Sequence, residues 1–350
     1  MKGIFALVIC AVLTGCATKS PSPNSEPNFF AKTEQSVRDR IVKAHIHAVD
    51  SLNLSEYEIY QPQGVRKYRD RLYVFDRGSG KIAVFDKAMR GDPEFIGKGK
   101  GEGPGEVNGI SDFQVSRDSL YLFLRRRTIV WSTSGKFISD KTRGVGVYRG
   151  EVLGDGNTLV SDPTSSRYLF NIVNEEGKIE RGFVQTDLGR LTPLHYEGDI
   201  AFNGEHLYFA GVPESLIKKY TLDGRQLFSV ATIDNYPSEI NYVQFGADGG
   251  RMAMGYAPGA LFSTAMIEVY DRYLLAVPIH DYDQTTFSYI DVYDAEDGRY
   301  VATYDLARMP QSLAVDAEGI YTLEYEGNDA YLKRYGNFLP DLETSHSEAP

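Results

Sequence analysis

The chain has 350 residues, 42% hydrophobic and 24% charged, with a formal net charge of −11. That hydrophobic content excludes a disordered chain. The acidic balance argues against non-specific nucleic-acid binding, which needs a basic surface. Twenty-four tyrosines and eighteen phenylalanines favour strands over helices.

Residues 1–15 read as a secretory signal: Lys2 gives a small positive start and Ile4 to Leu13 is an apolar run too short to span a bilayer. The run ends Leu13-Thr14-Gly15-Cys16, which resembles the lipobox of bacterial lipoproteins. The resemblance implies cleavage before Cys16 and acylation of its thiol. Several acyl chains, at about 0.8 kcal/mol per buried methylene, form a durable anchor. Cys10 and Cys16 are the two cysteines, so a mature chain holds neither a free thiol nor a disulfide. Ala17 follows the cysteine where an aspartate would signal retention in the inner membrane. By resemblance to the Gram-negative sorting rule, this implies the outer membrane. Residues 16–35, rich in Ser, Pro and Asn, read as a flexible tether. Val37, Ile41, Ala44 and Ala48 fall at helix-like spacing and predict a short helical segment over 36–51.

From 52 to 340 the pattern is strand and turn, followed by a polar tail over 341–350. Ser134-Gly135-Lys136, Glu176-Gly177-Lys178, Asp223-Gly224-Arg225 and Asp297-Gly298-Arg299 each join two strand-like runs, their glycines 42, 47 and 74 residues apart. Six prominent strands start at Leu72, Leu120, Thr158, Leu207, Tyr273 and Ile320. Their spacing suits the four-stranded blades of a propeller. Further strands follow at 81–86, 129–132, 168–174, 216–221, 287–293 and 330–335. The sixth unit lacks a fourth strand, and an open edge invites aggregation. The spare run Tyr57-Glu58-Ile59-Tyr60 predicts that residues 54–61 close the ring. The fold class is therefore all-β, a six-bladed propeller closed by an N-terminal strand.

Between the first two units lies Gly101-Glu102-Gly103-Pro104-Gly105-Glu106. It is no phosphate loop, because no Gly-Lys-Ser/Thr opens a helix there. The segment resembles the Gly-x-Gly-Pro-Gly-Glu loop of six-bladed β-propeller lipoproteins of Bacteroidetes, distantly similar to NHL-repeat propellers. That resemblance covers roughly residues 52–336. It implies the same fold and a cell-envelope location, and it lends no catalytic residues. Glu106 reads either as a turn residue bonding backbone N–H groups or as a ligand contact.

Candidate ligand-binding residues are Asp76 and Arg77 in the first hairpin, Glu106, Arg125 and Arg126 of the one basic run, and Tyr256. Arg125-Arg126-Arg127 on a strand end reads as a cluster for an anionic ligand or, more ordinarily, as a solvated hairpin. Trp131 reads as core. Tyr256 belongs to the insertion 231–263, which reads as a lid over the channel or as an excursion packed on the propeller face. His45 and His47 would diverge on a helix, and a zinc site needs three or four convergent ligands. No metal or other cofactor is expected. His206 and His280 have acids nearby, but no Gly-x-Ser-x-Gly elbow accompanies them.

The function expected is a non-catalytic binding or scaffolding module of the cell envelope, held at the membrane by its lipid. Its partner would be an envelope protein, a peptide or a glycan, and not a nucleic acid. The alternative is a channel-based lyase or hydrolase. Convergent His, Asp, Glu or Arg groups with displaced pKa values would favour an enzyme; an exposed apolar patch would favour a scaffold.

Overall fold

The computed structural model describes residues 29–164, 167–186, 192–236, 242–246, 252–256, 261–279, 288–336 and 338–339. Six antiparallel sheets follow one another along the chain. Blade one comprises Pro62–Tyr68, Arg71–Asp76, Lys81–Asp86 and Glu94–Ile96. Blade two comprises Asp112–Ser116, Ser119–Leu124, Arg127–Ser132 and Phe137–Thr142. Blade three runs Arg149–Val152, Thr158–Ser161, Tyr168–Val173 and Ile179–Gln185. Blade four runs Gly198–Phe202, His206–Gly211, Leu216–Thr221 and Gln226–Ala231. Blade five holds Thr264–Tyr270, Tyr273–Pro278, Ser288–Asp294 and Tyr300–Leu306. Blade six holds Ser312–Asp316, Gly319–Glu326 and Asp329–Gly336. The first strand of each blade touches the first strand of the next, and blade six returns to blade one. The fold class read from the sequence is the one observed.

The apolar core is divided into six wedges, one between each pair of neighbouring blades. Leu275, Ile290 and Tyr304 of blade five face Leu313, Ile320 and Tyr335 of blade six. Phe75, Ile82 and Val84 of blade one face Phe113, Leu122 and Trp131 of blade two. Aromatic and branched residues on both faces of a blade explain why each blade reads as nearly continuous hydrophobic runs, since both of its faces are buried. Trp131 is 5% exposed and meets Phe137 edge-on, with centroids 5.3 Å apart.

The recurring glycine turns are blade-to-blade contacts. Gly224 and Gly298 have φ of +93° and +76°, the left-handed region that glycine alone enters freely. A Cβ at Gly224 would lie 2.6 Å from Phe183 Cβ of blade three. One at Gly298 would lie 2.8 Å from Phe228 Cε2 of blade four. Each turn presses on the outer strand of the blade before it, so both the conformation and the space demand glycine.

The N-terminal segment departs from its sequence reading in three ways. Residues 36–51 are not helical. Val42–His45 is a strand with all four residues exposed, lying parallel to the outer strand of blade five. Its apolar residues do not form a buried stripe; main-chain pairing to Thr303, Tyr304 and Asp305 holds it instead. Ring closure does come from an N-terminal strand, but that strand is Ala48–Asn53, paired antiparallel with the third strand of blade six. Residues 54–57 form a 3-10 turn: Asn53 Oδ1 accepts from Ser55 N at 3.0 Å and Glu58 ends the turn at φ 61°. The aromatic run 57–60 therefore turns the chain, with Leu54 and Ile59 fully buried between blades six and one. Lastly, the end of the expected tether is docked. Phe29 and Phe30 pack on the wedge between blades three and four, and Thr33 bridges to Val230. Residues 29–53 thus run along the outer edges of blades four, five and six in turn.

Candidate functional site: a charged central channel

The first strands of the blades converge on a central cavity of about 300 Å³. Its wall carries Arg66, Asp112, Arg149, Glu151, Asp199 and Glu268. Alternate blades use the same device to place them. Asp112 Oδ2 of blade two accepts from Gly150 N of blade three at 3.1 Å. Asp199 Oδ2 of blade four accepts from Ile267 N of blade five at 3.0 Å. Ser312 Oγ of blade six accepts from Val65 N of blade one at 3.0 Å. The residue after each clamped N–H is Arg66, Glu151 or Glu268, so three charged side chains stand at corresponding stations around the ring.

Two of the four carboxylates are committed. Arg66 Nη2 reaches Asp112 Oδ1 at 2.7 Å, and Arg149 Nε reaches Asp199 Oδ1 at 2.6 Å. Burial works against the Arg66 charge, but Asp112 and the other channel acids outweigh it and hold its pKa above the usual value. The other two carboxylates are weakly compensated. Gln114 Nε2 donates to Glu151 Oε1 at 2.9 Å. Glu268 has no hydrogen bond or ion pair to the described residues. Burial pushes Glu268 up to about 7; Arg66 opposes the shift while Asp199 and Asp112 add to it. Glu151 is raised well above the ordinary carboxylate range, again chiefly by burial. Desolvation disfavours the charged form, and neighbouring acids compound it. A polar ligand entering this cavity meets two cations already fixed and two carboxyl groups that still lack strong partners.

The candidate residues from the sequence lie outside the cavity wall. Asp76 is 1% exposed and is consumed by a turn: Oδ1 accepts from Gln61 N and Gly78 N, and Oδ2 from Ser79 N at 2.7 Å. Arg77 is exposed beside it. Glu106 Oε2 accepts from Gly103 N at 2.9 Å, the turn role among its two readings. A Cβ on Gly101 would collide with that carboxylate, which accounts for the first glycine of the motif. Arg125 and Arg126 are exposed on the hairpin of blade two. The third arginine of the run, Arg127, pairs with Asp140 and donates from Nη2 to Gly103 O at 2.7 Å. The basic run and the glycine loop therefore meet, through Arg127.

Tyr256 sits at the rim. Its hydroxyl lies 2.9 Å from both Leu194 O and Glu197 Oε2. Glu197 also accepts from Tyr148 OH at 2.9 Å, and burial raises that phenol to about 12. Glu197 and Tyr148 directly precede the first strands bearing Asp199 and Arg149, so the insertion touches the cavity margin at blades three and four. Within the insertion, Tyr242–Gly246 and Met252–Tyr256 pair as a hairpin. Further residues named from the sequence, Cys16 and His280, fall outside the described residues. His45 and His47, expected to diverge, meet edge-on with centroids 4.6 Å apart, because the chain there is extended. His45 Nδ1 lies 3.2 Å from Asp305 Oδ2.

Sequence reasoning missed the whole cavity wall. The available signal was a charged residue inside the short run before each prominent strand: Arg66, Glu151 and Glu268 each sit in such a run.

Residues 53–182 match the model of DUF5128, described as a 6-bladed beta-propeller. Similar solved structures share the fold at low identity. A DUF4221 member from Bacteroides vulgatus is 11% identical with a TM-score of 0.56, covering 85% of this chain and 99% of its own. A protein of Bacteroides fragilis described as exported is 12% identical with a TM-score of 0.52, covering 87% and 99%. A luciferin-regenerating enzyme is 10% identical with a TM-score of 0.52, covering 83% and 95%. No curated protein matches the chain. Among the described residues, no helix is long and apolar enough to cross a membrane.

Proposed function

We propose that this chain is a lipid-anchored cell-envelope protein whose propeller binds a polar ligand, a peptide or glycan, in its central channel without transforming it. The observation that carries the reading is the cavity wall, with Arg66 and Arg149 held by aspartates while Glu151 and Glu268 face the same space. Such a wall selects polar groups by hydrogen bonding and charge, and it sits where propellers gather their loops. Binding fits better than catalysis because Asp112 and Asp199 are tied to arginines and to backbone N–H groups, which makes them scaffold for the wall.

The envelope address rests on the Leu13-Thr14-Gly15-Cys16 pattern after an apolar run, and the exported description of a structural neighbour is in keeping with it. Labelling cells with a palmitate analogue should mark the wild type and not Cys16→Ser, and the wild type should fractionate with the outer membrane. Label on both proteins, or on neither, would remove the anchor from the account. Affinity capture from detergent-solubilised envelopes should then recover a peptide or glycan partner from the wild type. A partner captured equally by Glu151→Gln/Glu268→Gln would move the binding site out of the channel.

A second reading has one specific observation in its favour. Among the described residues Glu268 has no hydrogen-bond or ion-pair partner, and burial pushes its carboxyl up to about 7, the condition for a general acid or base. A lyase or hydrolase would use Glu268 for proton transfer, with Arg66 holding the developing negative charge. By the criterion of convergent, displaced groups, the channel resembles a reactive site more than an apolar docking patch. Turnover of a captured ligand, abolished by Glu268→Gln, would decide for this reading.

A further inference from the structure

Away from the channel, the wedge between blades two and three is built differently from the other five. Among the described residues it holds five buried apolar side chains, Phe123, Val145, Val147, Val160 and Val173. Its neighbours hold eleven between blades one and two and twelve between blades three and four. Into this thin wedge projects Arg143, directly after the outer strand of blade two, and it is 9% exposed.

Among the described residues Arg143 has no acidic partner. Nε donates to Thr128 Oγ1, and Nη2 donates to Thr158 Oγ1 at 3.2 Å. Nη1 is buried and has no hydrogen-bond partner among the described residues. The guanidinium also lies 5.7 Å from the centroid of the Phe123 ring. Other arginines of low exposure here are matched by carboxylates: Arg40 by Asp234 and Asp291, Arg66 by Asp112, Arg149 by Asp199. With no carboxylate to offset burial, the Arg143 pKa falls to about 10. A buried charge lacking a counter-charge is strongly unfavourable, and proteins keep one where something supplies the partner.

Arg143 also lines a cavity of about 190 Å³. Thr128, Thr158 and Ser139 offer hydroxyls to it, and Lys141 stands on its exposed lip. Lys141 Nζ is held by Glu175 O at 3.0 Å, which fixes a second positive charge at the entrance. The exposed Glu175 side chain also borders the cavity, but it is absent from the groups acting on Arg143. Tyr121, Val130 and Ile138 give the wall an apolar part beside Ser119, Gly156 and Gly177, and Ile138 is 52% exposed.

We propose that the groove between blades two and three binds a small organic anion, a carboxylate with a short apolar body. Its oxygens meet Arg143 and the threonine hydroxyls, and its body lies against Ile138, Val130 and Tyr121. A planar guanidinium suits a carboxylate because parallel N–H donors match its two oxygens. The apolar wall distinguishes such a ligand from an inorganic anion.

The test uses the full folded protein with sodium benzoate and sodium hexanoate as probes, titrated calorimetrically at constant ionic strength. Saturable one-site binding is expected, with benzamide, the neutral isostere, at least tenfold weaker. Arg143→Met should fold, since it replaces an uncompensated buried charge with an apolar side chain, and should weaken benzoate binding at least tenfold. Arg143→Lys keeps the charge without the fork and should fall between the two. Glu268→Gln, in the channel, should leave benzoate affinity unchanged. No saturable binding of either probe would overturn the proposal. So would equal affinity for benzoate and benzamide, or equal affinity of the wild type and Arg143→Lys should Arg143→Met not fold. Inorganic phosphate binding as tightly as benzoate would overturn the organic part of the assignment.

Discussion

Ser312 and Val65 are 247 residues apart in the chain and joined by a hydrogen bond of 3.0 Å, from the Val65 N–H to the Ser312 hydroxyl. This bond crosses the seam where blade six meets blade one. Asp112 and Asp199 repeat it onto Gly150 and Ile267, so the ring is stitched on its inner side at every second interface. The charged lining of the channel is thus part of what holds the blades in register.

The outer side of the seam is closed by Ala48–Asn53 against the third strand of blade six, with Arg334 paired to Asp50. Removing residues 48–53 exposes the edge of blade six and uncovers Leu332. The deletion variant should lose its single cooperative melt by calorimetry. A melt like that of the wild type would mean the ring is closed by other contacts.

Asp199→Ala removes the partner of Arg149 and the acceptor of Ile267 N together. Breaking one side of a buried ion pair costs about 3–5 kcal/mol. Urea denaturation should show a loss of that order, with the slope against denaturant unchanged. A loss below about 1 kcal/mol would mean solvent replaces the carboxylate, as at exposed pairs.

Glu268 makes stability depend on pH in a defined direction. Its carboxyl is raised from 4.5 to about 7 on folding, so the folded protein holds the proton more tightly than the unfolded chain. The neutral carboxyl is therefore tolerated at low pH, and stability falls as pH rises from about 4.5 through 7. Above 7 both states are ionised and the loss is complete. Arg66, Asp112 and Asp199 are the charges acting on it. Glu268→Gln should be more stable than the wild type at pH 8, by on the order of 2 kcal/mol. That advantage should vanish near pH 4.5. A difference independent of pH would show that Glu268 does not titrate in this range.

Gly298 has no room for a side chain, with a Cβ placed 2.8 Å from both Phe228 Cε2 and Val230 Cγ2 and φ at +76°. Gly298→Ala should destabilise by more than the about 1–3 kcal/mol that forcing a side chain into the left-handed region usually costs, because its Cβ also meets blade four. Gly204→Ala has positive φ but open space around it, and serves as the control for backbone strain alone. Equal losses at both sites would remove the blade-to-blade contact from the explanation.

The fold was legible because its signals are local. The prominent strands are runs of branched and aromatic residues, as at Leu72–Asp76, and the turns carry glycines that the geometry requires. The missing fourth strand of blade six announced the closure, yet its position was misread. Ala48–Asn53 has little strand character of its own, and the open edge of blade six, not local propensity, extends it. Tyr57–Tyr60 looked more like a strand, but Asn53 caps a turn there. The channel was harder to see. Arg66, Glu151 and Glu268 do not stand out in the sequence, since nothing in one strand tells which neighbours the ring will bring opposite. Asp76 attracted notice as an acid beside an arginine, and three backbone N–H groups occupy it.

The central claim is that the channel binds a polar ligand and leaves it intact. The most direct measurement incubates the purified protein with defined envelope peptides and oligosaccharides and follows both retention and mass of each by mass spectrometry. The account predicts that the wild type retains one class with its mass unchanged, and that Glu151→Gln/Glu268→Gln loses it while melting as a folded protein. Conversion of the retained species into product, or equal retention by the double variant, would contradict it.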